Sequence, residues 1–425
     1  MVQLCEPMRS LSNPHLDYRS GQLFCEEVQL EWLAAQHGTP LYVYSQAAFL
    51  ENFQKFKRGL AGLPAEVCYS VKANSSLYLL KLLDHAGAGF DIVSGGELAR
   101  VQRIAADPAK VVFSGVGKTR PEIDAALHAG ILMFNVESAG ELDLIRSRAR
   151  DLGRRAPVSI RVNPDVEAET HPYISTGQAV HKFGVPKDEA LRLYRQVAEA
   201  PEIEIRGIAC HIGSQILDVG PFLAAFDEIR SLADLLSCGG QPLKYLDIGG
   251  GFGIRYADEP PLDFAALVEG LASRIRGTPY RLVVEPGRSI AANAGLLLTR
   301  VLYVKRNPVK NFIVVDSGMN DLLRPALYGS FHDVAPVRQA QNEKHVADVV
   351  GPICETGDFL ARDRELPDVA PGDLLAILTA GAYGYSLSSN YNTRPRPAEV
   401  LVDGNRSRVV HPRESVEAIL ATECL

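Results

Sequence analysis

No run of basic residues occurs anywhere in the 425-residue chain, and 51 Asp and Glu outnumber 44 Lys and Arg, for a formal net charge of −7. That balance argues against a nucleic-acid or anionic-membrane surface. No apolar stretch approaches the length of a membrane span, and residues 1–20 carry only Arg9 and Arg19, without the continuous apolar core of a signal peptide. The expectation is a cytoplasmic protein. The seven cysteines, at 5, 25, 68, 210, 238, 354 and 424, are odd in number and include no Cys-x-x-Cys pair, which fits neither a disulfide framework nor a zinc site. Most are expected to be buried, reduced thiols, and no metal is expected. There is no Walker loop, no His-Glu-x-x-His, no fixed-period repeat and no low-complexity segment.

What is present is an ordinary globular composition, 46% hydrophobic and 22% charged, with length for one large domain and a smaller one. After a polar, irregular start, Gln22–Cys25, Val28–Gln36 and Leu41–Tyr44 read as strand, helix and strand. From Ser45 to about Ile290, short β-rich runs alternate with amphipathic segments of helical period. The runs are Val67–Lys72, Phe90–Ser94, Val111–Ser114, Met133–Glu137, Ser159–Asn163, Ile208–Ile212, Tyr245–Ile248 and Leu282–Glu285. Eight strands with helices between them predict an α/β protein built on a (β/α)8 TIM-type barrel over 46–296, rather than an open doubly wound sheet. Beyond 296 β-rich runs dominate, including Val301–Val304, Phe312–Val315, Leu374–Leu378 and Val400–Val410, the last broken by an Asp403-Gly404-Asn405 turn. These predict a β-rich, sandwich- or barrel-like domain over 297–425, joined by the N-terminal segment 1–45.

A barrel of this kind carries its chemistry on the loops leaving the C-terminal strand ends. Those ends read Lys72; Asp91 and Ser94; Ser114; Asn135 and Glu137; Arg161 and Asn163; His211 and Ser214; Gly249–Gly251; and Glu285 with Arg288. Ser and Asn there serve equally well as turn formers. Lys, His, Glu and Arg converging on one rim are harder to explain that way. Lys72 ends an apolar run in Tyr69-Ser70-Val71-Lys72-Ala73-Asn74. A lysine amine becomes a nucleophile when partial burial lowers its pKa, although a lone lysine closing a strand is more often solvated or ion-paired.

Three consecutive glycines in Asp247-Ile248-Gly249-Gly250-Gly251-Phe252-Gly253 leave backbone N–H groups free to approach an anion, and serve a tight turn equally well. Ile254 stands where a dinucleotide fingerprint requires its third glycine. A lysine, a phosphate cradle and the Glu285 carboxylate together point to pyridoxal 5'-phosphate, whose aldehyde, phosphate and ring nitrogen need those partners. His211 can stack on its ring, or be a hydrogen-bonded structural residue.

Seven motifs in order carry a resemblance. They are Tyr69-Ser70-Val71-Lys72-Ala73-Asn74, His211-Ile212-Gly213-Ser214-Gln215, Asp247 to Gly253, Glu285-Pro286-Gly287-Arg288, Gly318 to Pro325, Gly351 to Asp358, and Gly381-Ala382-Tyr383-Gly384. From about residue 17 to 420 the chain resembles the diaminopimelate decarboxylase family, pyridoxal-phosphate enzymes of the alanine-racemase-like fold class. The resemblance implies that Lys72 is the cofactor's attachment point, that His211, Ser214, Gly251, Glu285, Pro286, Gly287 and Arg288 bind the cofactor, and that Tyr383 lies near it. It implies that Arg288, Arg324, Tyr328, Glu355 and Tyr383 contact an amino-acid substrate, and that Cys354 is a proton donor reaching the site of a second subunit in a homodimer. The activity implied is decarboxylation of meso-2,6-diaminoheptanedioate to L-lysine and carbon dioxide. Decarboxylases of ornithine or arginine share the cofactor motifs, and a non-catalytic homologue that retains the barrel is the alternative of a different class.

Overall fold

The computed structural model of the chain describes residues 11–166, 182–241, 243–340 and 342–424, so Cys5 and the first ten residues of the expected N-terminal segment lie outside the described residues. Two compact units emerge. One comprises Asn52–Ile254 with Pro260–Ile290, and the other the described residues up to Glu51, Arg255–Glu259 and those from Ala291 onward. The sequence reading cuts the chain at 46 and 296 instead. No helix among the described residues is long and apolar enough to cross a membrane.

The first unit is a closed barrel of eight parallel strands: β1 (Ala65–Ser70), β2 (Gly89–Ile92), β3 (Val111–Phe113), β4 (Met133–Val136), β5 (Ala156–Arg161), β6 (Ile203–Ala209), β7 (Tyr245–Asp247) and β8 (Arg281–Val284). β8 returns to β1 with Leu282, Val283 and Val284 opposite Ala65, Glu66 and Val67. Each expected strand forms, because runs such as Met133–Val136 are buried throughout, as a sheet covered on both faces requires. Inside, Cys68, Val112, Leu132, Met133, Tyr245 and Val283 pack as one cluster.

The helices start where polar caps follow strand ends. Ser94 and Ser138 each accept a 3.2 Å bond through Oγ, from the backbone N–H of Glu97 and of Glu141, and Thr119 and Glu122 form a reciprocal capping box. A helix over Gln46–Gly59, absent from the sequence reading, precedes β1. Its buried Phe49, Phe53 and Phe56 recur at helical spacing.

One boundary matters for chemistry. The sequence reading carries the first strand to Lys72, but β1 stops at Ser70 and Val71–Ala73 form a single 3₁₀ turn. Gly287 presses on that turn so closely that a Cβ there would lie 2.9 Å from Ser70 Cβ and 3.1 Å from Ala73 Cβ.

The second unit is a mixed nine-stranded sheet with a separate three-stranded one. Its long strand Gly295–Arg306 pairs antiparallel with Leu41–Ser45, with Leu374–Ile377 and with Asn311–Val315. Leu41–Ser45 is parallel to Ala398–Asp403 on its other side, so the N-terminal segment lies inside this sheet. The core here gathers Leu23, Leu30, Leu33, Leu41, Val43, Leu298 and Val400. Of the six described cysteines, Cys25, Cys68 and Cys210 are buried, whereas Cys238, Cys354 and Cys424 are exposed. Among the described residues the expected buried thiols are thus half the set, the other three lying on surface helix ends or loops that bury little.

Candidate active site

The C-terminal rim of the barrel carries Lys72, His211, Ser214, Gly251, Glu285, Pro286, Gly287 and Arg288. The Lys72 amine lies 3.0 Å from Oδ2 of Asp91, a fully buried carboxylate at the end of β2 that also accepts a 2.7 Å bond from Ser70 Oγ. Ser70 N–H donates to the Pro286 carbonyl at 3.1 Å, which ties the lysine turn to the segment leaving β8.

Glu285 directly follows β8 and faces inward among acids. Asn135 on β4 donates through Nδ2 to Asp247 Oδ2 at 3.0 Å and to Glu285 Oε1 at 3.4 Å. Burial, then the negative charges of Asp247 and Asp91, hold the Glu285 carboxyl well above its ordinary range. Asp247 is pushed up to about 6, chiefly by burial.

His211 accepts a hydrogen bond on Nδ1 from the Gly250 N–H at 3.1 Å. Its pKa is driven well below the usual value by burial and then by Arg161 and Lys72, so the ring is neutral with its proton on Nε2. Arg288 donates through Nη2 to Ser214 Oγ at 3.0 Å. The loops after β6 and β7 lace together through Ile216 N–H to Gly251 O and Gly253 N–H to Ile216 O, both 2.9 Å. A Cβ on Gly250 would stand 2.2 Å from the Glu285 carbonyl, and one on Gly251, whose φ is +95°, 2.3 Å from that of Gly213. Only glycine fits this cradle.

These residues fit a pyridoxal group. A lysine amine, an inward acidic pair and a glycine cradle with a neighbouring guanidinium match an aldehyde, a ring nitrogen and a phosphate. The same wall holds buried polar atoms that no group among the described residues satisfies, Asp91 Oδ1, Asn135 Oδ1, and Nε and Nη2 of Arg161. Arg161 is fixed through Nη1 to Glu137 at 2.9 Å, and Glu137 also accepts from the N–H groups of Gly115 and Gly184.

The remaining expected residues belong to the second unit. Arg324 and Tyr328 open and close the short helix Arg324–Tyr328, the arginine buried and the tyrosine half-buried. Arg324 stacks 5.1 Å over the Tyr256 ring and donates through Nη1 to His332 Nε2 at 2.9 Å. Cys354 and Glu355 are exposed on a loop that closes around Asp358, which accepts from the N–H groups of Ile353 and Met319, each at 2.6 Å. Glu355 accepts a short bond from the Tyr391 hydroxyl. Tyr383 is half-buried at φ +57°, a left-handed conformation unusual outside glycine and frequent at functional positions.

Tyr256, His332 and Tyr391 have no part in the sequence reading. None belongs to a motif or ends a strand of the barrel, so only the fold gives them a role.

Residues 46–292 match the family model described as "Pyridoxal-dependent decarboxylase, pyridoxal binding domain". The chain is 52% identical over 408 residues to a diaminopimelate decarboxylase of Pseudomonas aeruginosa, covering 96% of this chain and 98% of that protein. It is similar in structure to diaminopimelate decarboxylase from Helicobacter pylori complexed with L-lysine, with TM-score 0.89 and 40% identity over 92% of this chain and 98% of that one. It is also similar to the enzyme from M. jannaschii in co-complex with L-lysine, with TM-score 0.92 and 36% identity over 98% and 99% of the two chains.

Proposed function

The chain belongs to the pyridoxal-dependent decarboxylase family, and we propose that it converts meso-2,6-diaminoheptanedioate to L-lysine and carbon dioxide, the last step of lysine biosynthesis. The observation that carries this reading is similarity to diaminopimelate decarboxylases along nearly the whole chain, second unit included. The protein is a carboxy-lyase with pyridoxal 5'-phosphate as its cofactor.

When bound, pyridoxal phosphate supplies an electron sink for the pair left by the breaking Cα–carboxylate bond. Lys72 would be the residue that holds the cofactor's aldehyde, and Asp91, 3.0 Å from its amine, would steady the ammonium form whenever the lysine is free. Glu285 would pair with the ring nitrogen, and His211, kept neutral by burial, would pack against the ring without adding positive charge. Gly251, Gly287, Ser214 and Arg288 would hold the phosphate, the last two already joined at 3.0 Å. Pro286 sets the turn between Glu285 and Gly287.

Arg324 grips the distal carboxylate of the substrate, with Tyr328 beside it, Glu355 takes the distal ammonium, and Arg288 and Tyr383 complete the contacts. Cys354 gives the proton that replaces the lost carboxylate. The exposure of Cys354 and Glu355 within one chain supports a homodimer in which they complete the partner's site. The enzyme works in the cytoplasm on a free amino acid.

Incubating purified protein with meso-diaminopimelate and assaying carbon dioxide and L-lysine tests the reading. Both products are expected. Their absence from protein loaded with cofactor would overturn it, and equal turnover of ornithine would overturn the substrate assignment.

A further inference from the structure

Asp247 ends β7 with no exposed surface, and its carboxylate accepts from Gly249 N–H at 2.9 Å on Oδ1 and from Asn135 Nδ2 at 3.0 Å on Oδ2. The same Asn135 amide reaches Glu285 Oε1 at 3.4 Å, so one NH2 group spans two carboxyls of 0% and 6% exposure. Asp91 on β2 is a third acid in this wall, but it has Lys72 at 3.0 Å and the Ser70 hydroxyl. Lys72, the cation that offsets repulsion at Glu285, is thereby already engaged. The other titratable neighbours, Cys68 on β1 and Cys210 after β6, are buried thiols held neutral, and Arg161 on β5 is bound to Glu137. Two carboxylates this close, away from water and with a shared amide as their common donor, cannot both ionise.

Building on the pyridoxal reading above, we propose that Asp247 and Glu285 hold one proton between them beside the Asn135 amide, and that they give it up when the cofactor's ring nitrogen, already protonated in solution near neutral pH, binds against Glu285. A carboxyl O–H bond breaks and its proton leaves to solvent. Two carboxylates then face one pyridinium. Asp247 touches neither cofactor nor substrate in this arrangement. It is a positioning residue that stores the charge compensation the ring requires. The arrangement also explains why an acid as buried as Asp247 stands behind Glu285, where an apolar residue would pack at lower desolvation cost.

The test uses the full-length chain stripped of cofactor and reconstituted with pyridoxal 5'-phosphate. Infrared difference spectra of the wild type near neutral pH should show a carboxylic-acid C=O band that is lost on binding, and Asp247→Asn should lack the band. Calorimetry of reconstitution in buffers of different ionisation enthalpy should show Asp247→Asn releasing about one proton fewer than the wild type. A yellow, reconstituted wild type whose band persists, or equal proton release by the two proteins, would overturn the proposal and leave the functional reading intact. Failure to bind the cofactor at all would overturn both. If Asp247→Asn does not fold, the wild-type band decides alone.

Discussion

Arg324 donates from Nη1 to Nε2 of the fully buried His332 at 2.9 Å, and the other ring nitrogen of His332 stands 2.9 Å from the Leu378 carbonyl. Nδ1 therefore carries the ring proton, and a lone pair faces the guanidinium. Arg324→Ala should raise KM for diaminopimelate far more than it weakens cofactor binding. His332→Phe, which keeps the bulk and removes the acceptor, should raise KM by roughly tenfold, since a hydrogen bond to a charged group is worth about 1.5–3 kcal/mol. Steady-state kinetics beside a cofactor titration check both, and an unchanged KM in either variant would refute the role given to that residue.

Purified protein should be yellow, and borohydride should fix a pyridoxyl group on Lys72, whose amine stands on the turn beside the glycine cradle. Peptide mapping reads the position. An adduct on another lysine, or none, sinks the assignment.

Glu285→Gln should retain cofactor but lose turnover by about ten- to hundredfold, because a neutral partner no longer stabilises the charged ring in the transition state. Absorbance reports occupancy and kcat reports the loss. Near-native kcat would refute the assignment.

Glu97 accepts a 2.8 Å bond from Val93 N–H, and burial lifts its pKa from 4.5 to about 7 despite that bond. Because the folded value is the higher one, its contribution to stability is fully present below pH 4.5 and is lost as pH rises through 7. Glu97→Gln removes the cost of ionisation and keeps an acceptor. Its Tm should gain on the wild type between pH 5 and 8, by the equivalent of about 2 kcal/mol or less because water still reaches the side chain. A gap between the two melting curves that does not change with pH would contradict this.

Two inactive variants, Lys72→Ala and Cys354→Ala, dissociated and remixed in equal amounts, should recover about a quarter of native activity. About half of randomly reassorted dimers are hybrids, each with one intact site of two. With exchange confirmed separately, zero recovery would place both residues of a site in one chain.

The barrel was legible because its signal is periodic. Eight apolar runs alternating with segments of helical period fix the strands, and Lys72, His211 and Glu285 follow from the rule that rim residues end strands. Lys72 nonetheless stands one turn beyond its strand, since Val71 continues the apolar run while Gly287 leaves room only for a tight turn. The glycine motif disclosed a cradle, and its flanking Asp247 gave no sign of sharing a donor with Glu285 across the barrel. His332 was beyond reach for a similar reason. It is polar, fully buried and set between a short helix and a short strand, and its partners Arg324 and Leu378 are fixed by tertiary contacts that no local pattern encodes.

The strand Leu41–Ser45, buried along its whole length, waits for neighbours that the ribosome makes much later. Gly295–Arg306 follows only after the entire barrel sequence, and Ala398–Asp403 later still. The barrel shortens that wait. The folded barrel holds its own ends together, with Asn52 Nδ2 donating to the Ile290 carbonyl at 2.9 Å, which shortens the loop that the sheet strands must close. A chain cut short before Ala398 would carry a finished barrel and a strand with an open edge, which is a recipe for aggregation rather than for a smaller enzyme.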